Sequence, residues 1–168
     1  MSQLSQADRN LTTALVLGTL RWQIALDARI KPLLQRPELA LAQPIQTALR
    51  LGAFQLLHMD RIPAHAALSE SVELVRAAGH PHAVGMVNAI LRKLAGAKPT
   101  GQRLHESTAV FAERLGHPLW LVERWVTHYG RAVTQAICEY GQLEPKAGSL
   151  FQSADSAETA SLPRIDDG

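Results

Sequence analysis

The sequence predicts an all-α protein, an antiparallel helical bundle followed by a small helical connector. Apolar residues recur at spacings of three and four through most of the first 141 positions, the period of one helix face. No stretch of useful length alternates polar and apolar as a strand would. Hydrophobic content is 46% but aromatic content only 5%, so the core must be Leu, Ala, Val and Ile, which suits helices. At 168 residues the chain has room for one domain and a tail, or one and a half domains.

In chain order, Ser5 to Asp8 has the form of a capping box, with Asp in place of the usual Glu. A long helix is expected from about 7 to 34, with Leu11, Leu15, Gly18, Trp22, Leu26 and Ile30 as its seam and Pro32 near its end. Arg21, Arg29 and Lys31 lie off that seam. Pro37 and Pro44 bracket a loop, and Pro44 can open the next helix because the first helical turn has no use for its missing N–H. Ile45, Ala48, Leu49, Gly52, Ala53, Leu56 and Leu57 share one face, and small Gly52 and Ala53 admit a close neighbour. The turn Asp60-Arg61-Ile62-Pro63 ends that helix, since a residue before proline avoids helical angles. Pro63 opens a helix with Ala67, Leu68, Ser71, Val72 and Val75 inward, closed by Gly79 as a left-handed cap. Pro81 opens a third, with Ala83, Val87, Ile90, Leu91 and Leu94 inward. Stripes this wide must be buried against something.

Gly96 to Gly101 is a breaker cluster, and the domain boundary is expected there: a bundle over 4–97 and a connector over 104–141. In the connector, a short helix is expected from Glu106 to Leu115, ended by Gly116. A second follows Pro118, with Leu119, Val122, Trp125, Val126 and Tyr129 on one face. Gly130 should break it, and a last helix from Ala132 to Tyr140 should turn Val133, Ala136, Ile137 and Tyr140 inward. The tail, 142–168, is rich in Ser, Ala, Asp and Glu in its later part and is expected to be disordered.

A single cysteine, Cys138, excludes an internal disulfide and fits a reducing cytoplasm. Neither a signal peptide nor an apolar run long enough to span a bilayer is visible, so no membrane role is expected. The net charge of +2 conceals an asymmetry: residues 1–98 hold 11 Lys and Arg against 6 Asp and Glu, and residues 99–168 hold 6 against 9. A basic helical domain with an acidic tail is compatible with a nucleic-acid partner. Seven histidines raise the question of metal. His58, His65, His80 and His82 flank turns without a cysteine or carboxylate at supporting spacing, so they read as turn and surface residues and no metal ligand is expected. Cys138 falls on the inner side of its helix, where a thiol is inert. With no glycine-rich strand-to-helix turn either, no catalytic residue is expected. The basic residues Arg61, Arg76, Arg92, Lys93 and Lys98 are the candidate RNA contacts. Their competing role, for Arg76, Arg92 and Lys93, is to neutralise helix C-termini.

The run from Arg61 to Gly79, with Val87-Asn88-Ala89-Ile90-Leu91-Arg92-Lys93, resembles the NusB-like fold, an all-helical RNA-binding module. Leu11 to Trp22, Leu51 to Leu57, and His117 to Trp125 with Tyr129-Gly130 resemble one branch of it. That branch is the N-terminal domain of the RsmB/Sun type of small-subunit rRNA cytosine-C5 methyltransferase, with its connector to the catalytic domain. The resemblance implies an RNA-binding, substrate-positioning domain that is not catalytic alone. It implies partners in small-subunit rRNA and in a C-terminal methyltransferase domain absent from this sequence. No cofactor is expected in this chain, and S-adenosylmethionine is expected for the missing domain. The family has one or two further helices before Ser5, and in the NusB factor the arginine-rich RNA segment lies there, so the chain reads as a fragment. Losing those helices would leave an uncovered apolar face that could drive dimerisation. Ser69 stands where the family commonly has Asn. The alternatives are a NusB-type transcription antitermination factor, against which the 117–130 connector speaks, and a helical protein-interaction module.

Overall fold

The computed structural model describes residues 5–97 and 106–143. Those residues form seven α-helices and no strand: α1 (Gln6–Arg21), α2 (Gln23–Ile30), α3 (Gln43–His58), α4 (Ala64–Ala77), α5 (Val84–Gly96), α6 (Thr108–Leu115) and α7 (Leu119–Gly141). Short 3-10 turns at Lys31–Leu33 and Pro81–Ala83 follow α2 and precede α5. The predicted tail from residue 144 onward, and Lys98, lie outside the described residues.

The three central helices start and stop where their local signals place them. Pro44 sits in the first turn of α3, and Pro63 and Pro81 stand at the starts of α4 and the turn into α5. Gly79 has φ +82°. Its N–H donates to the Arg76 carbonyl at 3.1 Å and that of His80 to the Val75 carbonyl at 3.0 Å, which satisfies two carbonyls the end of α4 would otherwise leave bare. The tight turns make α3, α4 and α5 an antiparallel set whose inward faces meet. Leu49, Ala53, Ala67, Val75, Val87 and Leu91 are wholly buried. Gly52 is the point of closest approach: a Cβ there would stand 2.4 Å from Ser71 Oγ and 2.7 Å from Leu91 Cδ1. Ser71 avoids the cost of a buried hydroxyl by donating to the Ala67 carbonyl one turn back, at 2.7 Å.

The capping box at the start of α1 is complete, with the Asp8 N–H donating to Ser5 Oγ at 3.1 Å and the Ser5 N–H to Asp8 Oδ2 at 3.2 Å. The expected single helix over 7–34 is instead two. Trp22, at φ −92° and ψ 6°, leaves helical geometry and separates α1 from α2. The break has a packing cause. Gly18 sits directly on the Phe54 ring, where a Cβ would be 2.0 Å from Cζ, while Trp22 stacks on His58 with centroids 4.3 Å apart. The change of course after Trp22 lets α2 bury Ala25, Leu26 and Ile30. Arg50 on α3 then grips Asp27 on α2 with both ends of its guanidinium, at 2.7 and 2.5 Å.

Beyond residue 105 a second, smaller core forms from Phe111, Ala112, Leu115, Val122 and Cys138. Ser107, not Glu106, caps α6. Glu106 lies just outside it and pairs with Arg114 at 2.7 Å and Arg131 at 3.3 Å, its own side chain almost wholly buried. Gly116, at φ +71°, ends α6. The Gln142 side-chain amide donates to the Leu115 carbonyl at 2.9 Å, tying the end of α7 to the end of α6. Gly130 does kink α7, at φ +75° and ψ 167°. The inward face expected beyond it is corrected, however: Val133, Ala136, Ile137 and Tyr140 are exposed, and Thr134 and Cys138 are buried. Among the described helices α6 is the main neighbour of α7, so only a narrow line is covered and the more apolar side stays outside. α6 also packs against α2, which joins the connector to the bundle.

Candidate nucleic-acid interface

The proposed basic contacts do not all reach one face. Because α4 and α5 run antiparallel, the end of α5 lies beside the start of α4. His65 and Ser69 from α4 and Asn88 and Arg92 from α5 line a shallow groove of about 300 Å³ with Leu68 and Val72 as its apolar floor. Spacings of four keep each pair on one helix face. Arg61, in the exposed turn before α4, stands at this same end. Arg76 does not: it lies eleven residues beyond His65, roughly 16 Å along the helix axis, and is ion-paired with Glu73. Neither Arg61 nor Arg92 has an ion-pair partner among the described residues.

Lys93 follows Arg92 by one position, and consecutive helical residues point roughly 100° apart. It therefore leaves the α4–α5 groove and lines a larger cleft, of about 540 Å³, between α2, the end of α3, α5 and α6. Arg29, His58, Glu113 and Arg114 share that cleft with it. The His58 ring stacks with Trp22 and with Phe54, at 4.3 and 5.4 Å between centroids. Burial lowers its pKa below the ordinary 6.5, and the neighbouring Arg29 charge lowers it further. Arg114 is committed to Glu106. Its two-nitrogen grip holds the Glu106 carboxyl below its ordinary pKa against the opposing effect of burial. Arg29 and Lys93 have no such partner among the described residues. Sequence reasoning passed over Arg29 and His58 as binding groups. The only trace was that Arg29 falls off the apolar seam of its helix, which any solvated arginine also does.

Cations, amides and hydroxyls of this kind can hold anions and hydrogen-bond to nucleotides, but they include no activated nucleophile. Cys138 is wholly buried, and desolvation raises its thiol pKa, with the Glu139 charge adding to the rise. Among the described residues no group of three or more His, Cys, Asp and Glu could hold a metal ion. With no strand among them, they build no glycine-lined crevice of the doubly wound type for S-adenosylmethionine. No helix among them is long and apolar enough to cross a membrane.

Residues 1–96 match the NusB family model. The chain is 34% identical over 146 residues to the probable ribosomal RNA small subunit methyltransferase B of Bacillus subtilis, covering 86% of this chain and 32% of that protein. It is 35% identical over 150 residues to the ribosomal RNA small subunit methyltransferase B of Pseudomonas putida, covering 86% and 32%. It is 35% identical over 143 residues to that of Escherichia coli, covering 85% and 32%. The chain thus spans about a third of the length of these curated relatives. It belongs to the NusB family.

Proposed function

We propose that this chain binds RNA and positions small-subunit rRNA for base methylation, with the methyl transfer itself performed by a methyltransferase domain outside these helices. The observation that carries the reading is the open end of the α4–α5 hairpin. There Arg92 stands beside Asn88, His65 and Ser69, with Arg61 in the exposed turn just before α4, and neither arginine is ion-paired with a described residue. Guanidinium groups at such an end contact backbone phosphates and fix register, while the groove's amide and hydroxyl add hydrogen bonds. S-adenosylmethionine and the reactive cysteines belong to the partner domain, because covalent attack on cytosine needs an exposed thiolate. The names of the relatives support methylation over antitermination as the process served. A cytoplasmic location follows from that process.

The test is salt-dependent binding of the chain to an rRNA stem-loop. Phosphate-driven binding weakens steeply, with a log–log slope of about −0.7 to −0.9 for each phosphate contacted. Arg61→Gln with Arg92→Gln should lower affinity and flatten that slope, and Arg76→Gln, already paired with Glu73, should do much less. A slope near zero for the unmodified chain would favour the protein-interaction reading. Titration with S-adenosylmethionine should show no binding, and measurable affinity would overturn the non-catalytic assignment. Self-association is the second reading of the surface, favoured by Val16, Leu17 and Leu20 on α1, which are 48%, 54% and 61% exposed. Sedimentation over a range of concentrations tests it, and α1 is the face where Leu17→Ser should abolish a dimer.

A further inference from the structure

The cleft between α2, α5 and α6 is a second place where cations gather without an ion-pair partner among the described residues, on a different side of α5 from the α4–α5 groove. It differs from that groove in construction. Its walls come from both the bundle and the connector, and its volume of about 540 Å³ exceeds the groove's 300 Å³. Arg29, half-buried, and Lys93, exposed, approach it from α2 and α5. His58 lines it from the end of α3. That ring is already stacked with Trp22 and with Phe54, so its role toward a ligand is to donate or accept a hydrogen bond. Arg114 is paired with Glu106, and among the described residues Glu113 is the one carboxylate on the wall.

We propose that this cleft binds a phosphodiester of RNA, held by Arg29 and Lys93 with a hydrogen bond at His58, and so registers the RNA against both the bundle and the connector. The proposal rests on the RNA-binding reading and adds a contact that reading does not require. Two cations drawn from helices far apart in sequence converge on one half-enclosed space. There an anion loses less of its attraction to solvent screening than it would on an open surface. With His58 already stacked on Trp22 and Phe54 and two cations on the walls, the site suits backbone rather than base and should not discriminate sequence. Glu113 opposes the ligand, and its removal should strengthen binding.

The experiment measures anisotropy of a fluorescein-labelled rRNA stem-loop with single-stranded flanks, using the whole chain, over a salt series. Arg29→Gln with Lys93→Gln should weaken binding about tenfold at low salt and reduce the slope by about 0.7 to 0.9, one phosphate's share. Arg29→Lys with Lys93→Arg, which keeps the charge, should restore most of it, and Glu113→Gln should tighten binding about twofold. The His58 Cε1–H resonance should move as RNA is added. If the Gln pair binds as tightly as the unmodified chain while Arg61→Gln with Arg92→Gln does not, the cleft site is wrong and the RNA reading stands. If the unmodified chain itself binds no RNA, both fall. Titration with inorganic phosphate alone is the third arm. Saturation of the His58 shift at micromolar phosphate, with no competition from RNA, would assign the cleft to a small phosphate ligand and overturn the proposal.

Discussion

Gly52 shows how much a single position can carry. In an isolated helix, replacing it by Ala would help by about 0.5–1 kcal/mol. Here the added methyl would meet Ser71 Oγ and Leu91 Cδ1 at 2.4 and 2.7 Å, closer than real contacts allow. Ser71 is held to the Ala67 carbonyl and cannot yield freely. Overpacking of this kind costs about 1–3 kcal/mol, so we expect Gly52→Ala to be destabilising in urea denaturation, against its helix propensity. Glu106 makes a prediction in pH. Its folded pKa is depressed, by the hydrogen bond from Arg114 first, so its contribution to stability is complete above the ordinary value of about 4.5. That contribution is lost as pH falls through the lower folded value, because the unfolded chain takes up the proton first. Acid unfolding of the connector, followed by Trp fluorescence, should therefore steepen below about pH 4.5, and Glu106→Gln should remove that component. The smallness of Gly52 was readable in the sequence as room for a close neighbour. The role of Glu106 was not, because its partners Arg114 and Arg131 are eight and twenty-five positions away.

At the level of elements, α3, α4 and α5 were legible because proline, glycine and a wide apolar stripe agree in each. Local angle preference and burial then select the same boundaries. α1 and α2 look like one helix in the sequence because neither Pro nor Gly marks Trp22. The break is imposed from outside, by Phe54 beneath Gly18 and His58 against Trp22. The second half of α7 misled for the opposite reason. Its strongest apolar line is Val133, Ile137 and Tyr140, yet these are 51%, 36% and 78% exposed. A stripe records that a face can be buried and says nothing of whether a neighbour is there to bury it. Val133→Ser with Ile137→Ser should accordingly change stability by no more than about 0.5 kcal/mol. Phe111→Ala, which empties the wholly buried centre of the connector, should cost about 3–5 kcal/mol. Chemical denaturation of the two variants checks both values, and equal losses would mean that α7 packs by its apolar line after all.

Across the whole molecule, two cores of unequal size are joined where α2 meets α6, and the larger basic cleft lies at that junction. The five basic residues singled out by sequence divide accordingly. Arg92 lines the groove at one end of the hairpin with Arg61 in the turn at that end, Arg76 is turned to Glu73 at the far end, and Lys93 joins Arg29 across the junction. Lys98 lies outside the described residues. The helical class, the boundaries of the central helices and their buried faces follow from the chain alone, because periodicity, proline and left-handed glycine act over a few neighbouring residues. The company each cation keeps, the break at Trp22 and the bare side of α7 were settled only in three dimensions. They depend on side chains brought together from distant segments, and burial and charge act through space without regard to position along the chain.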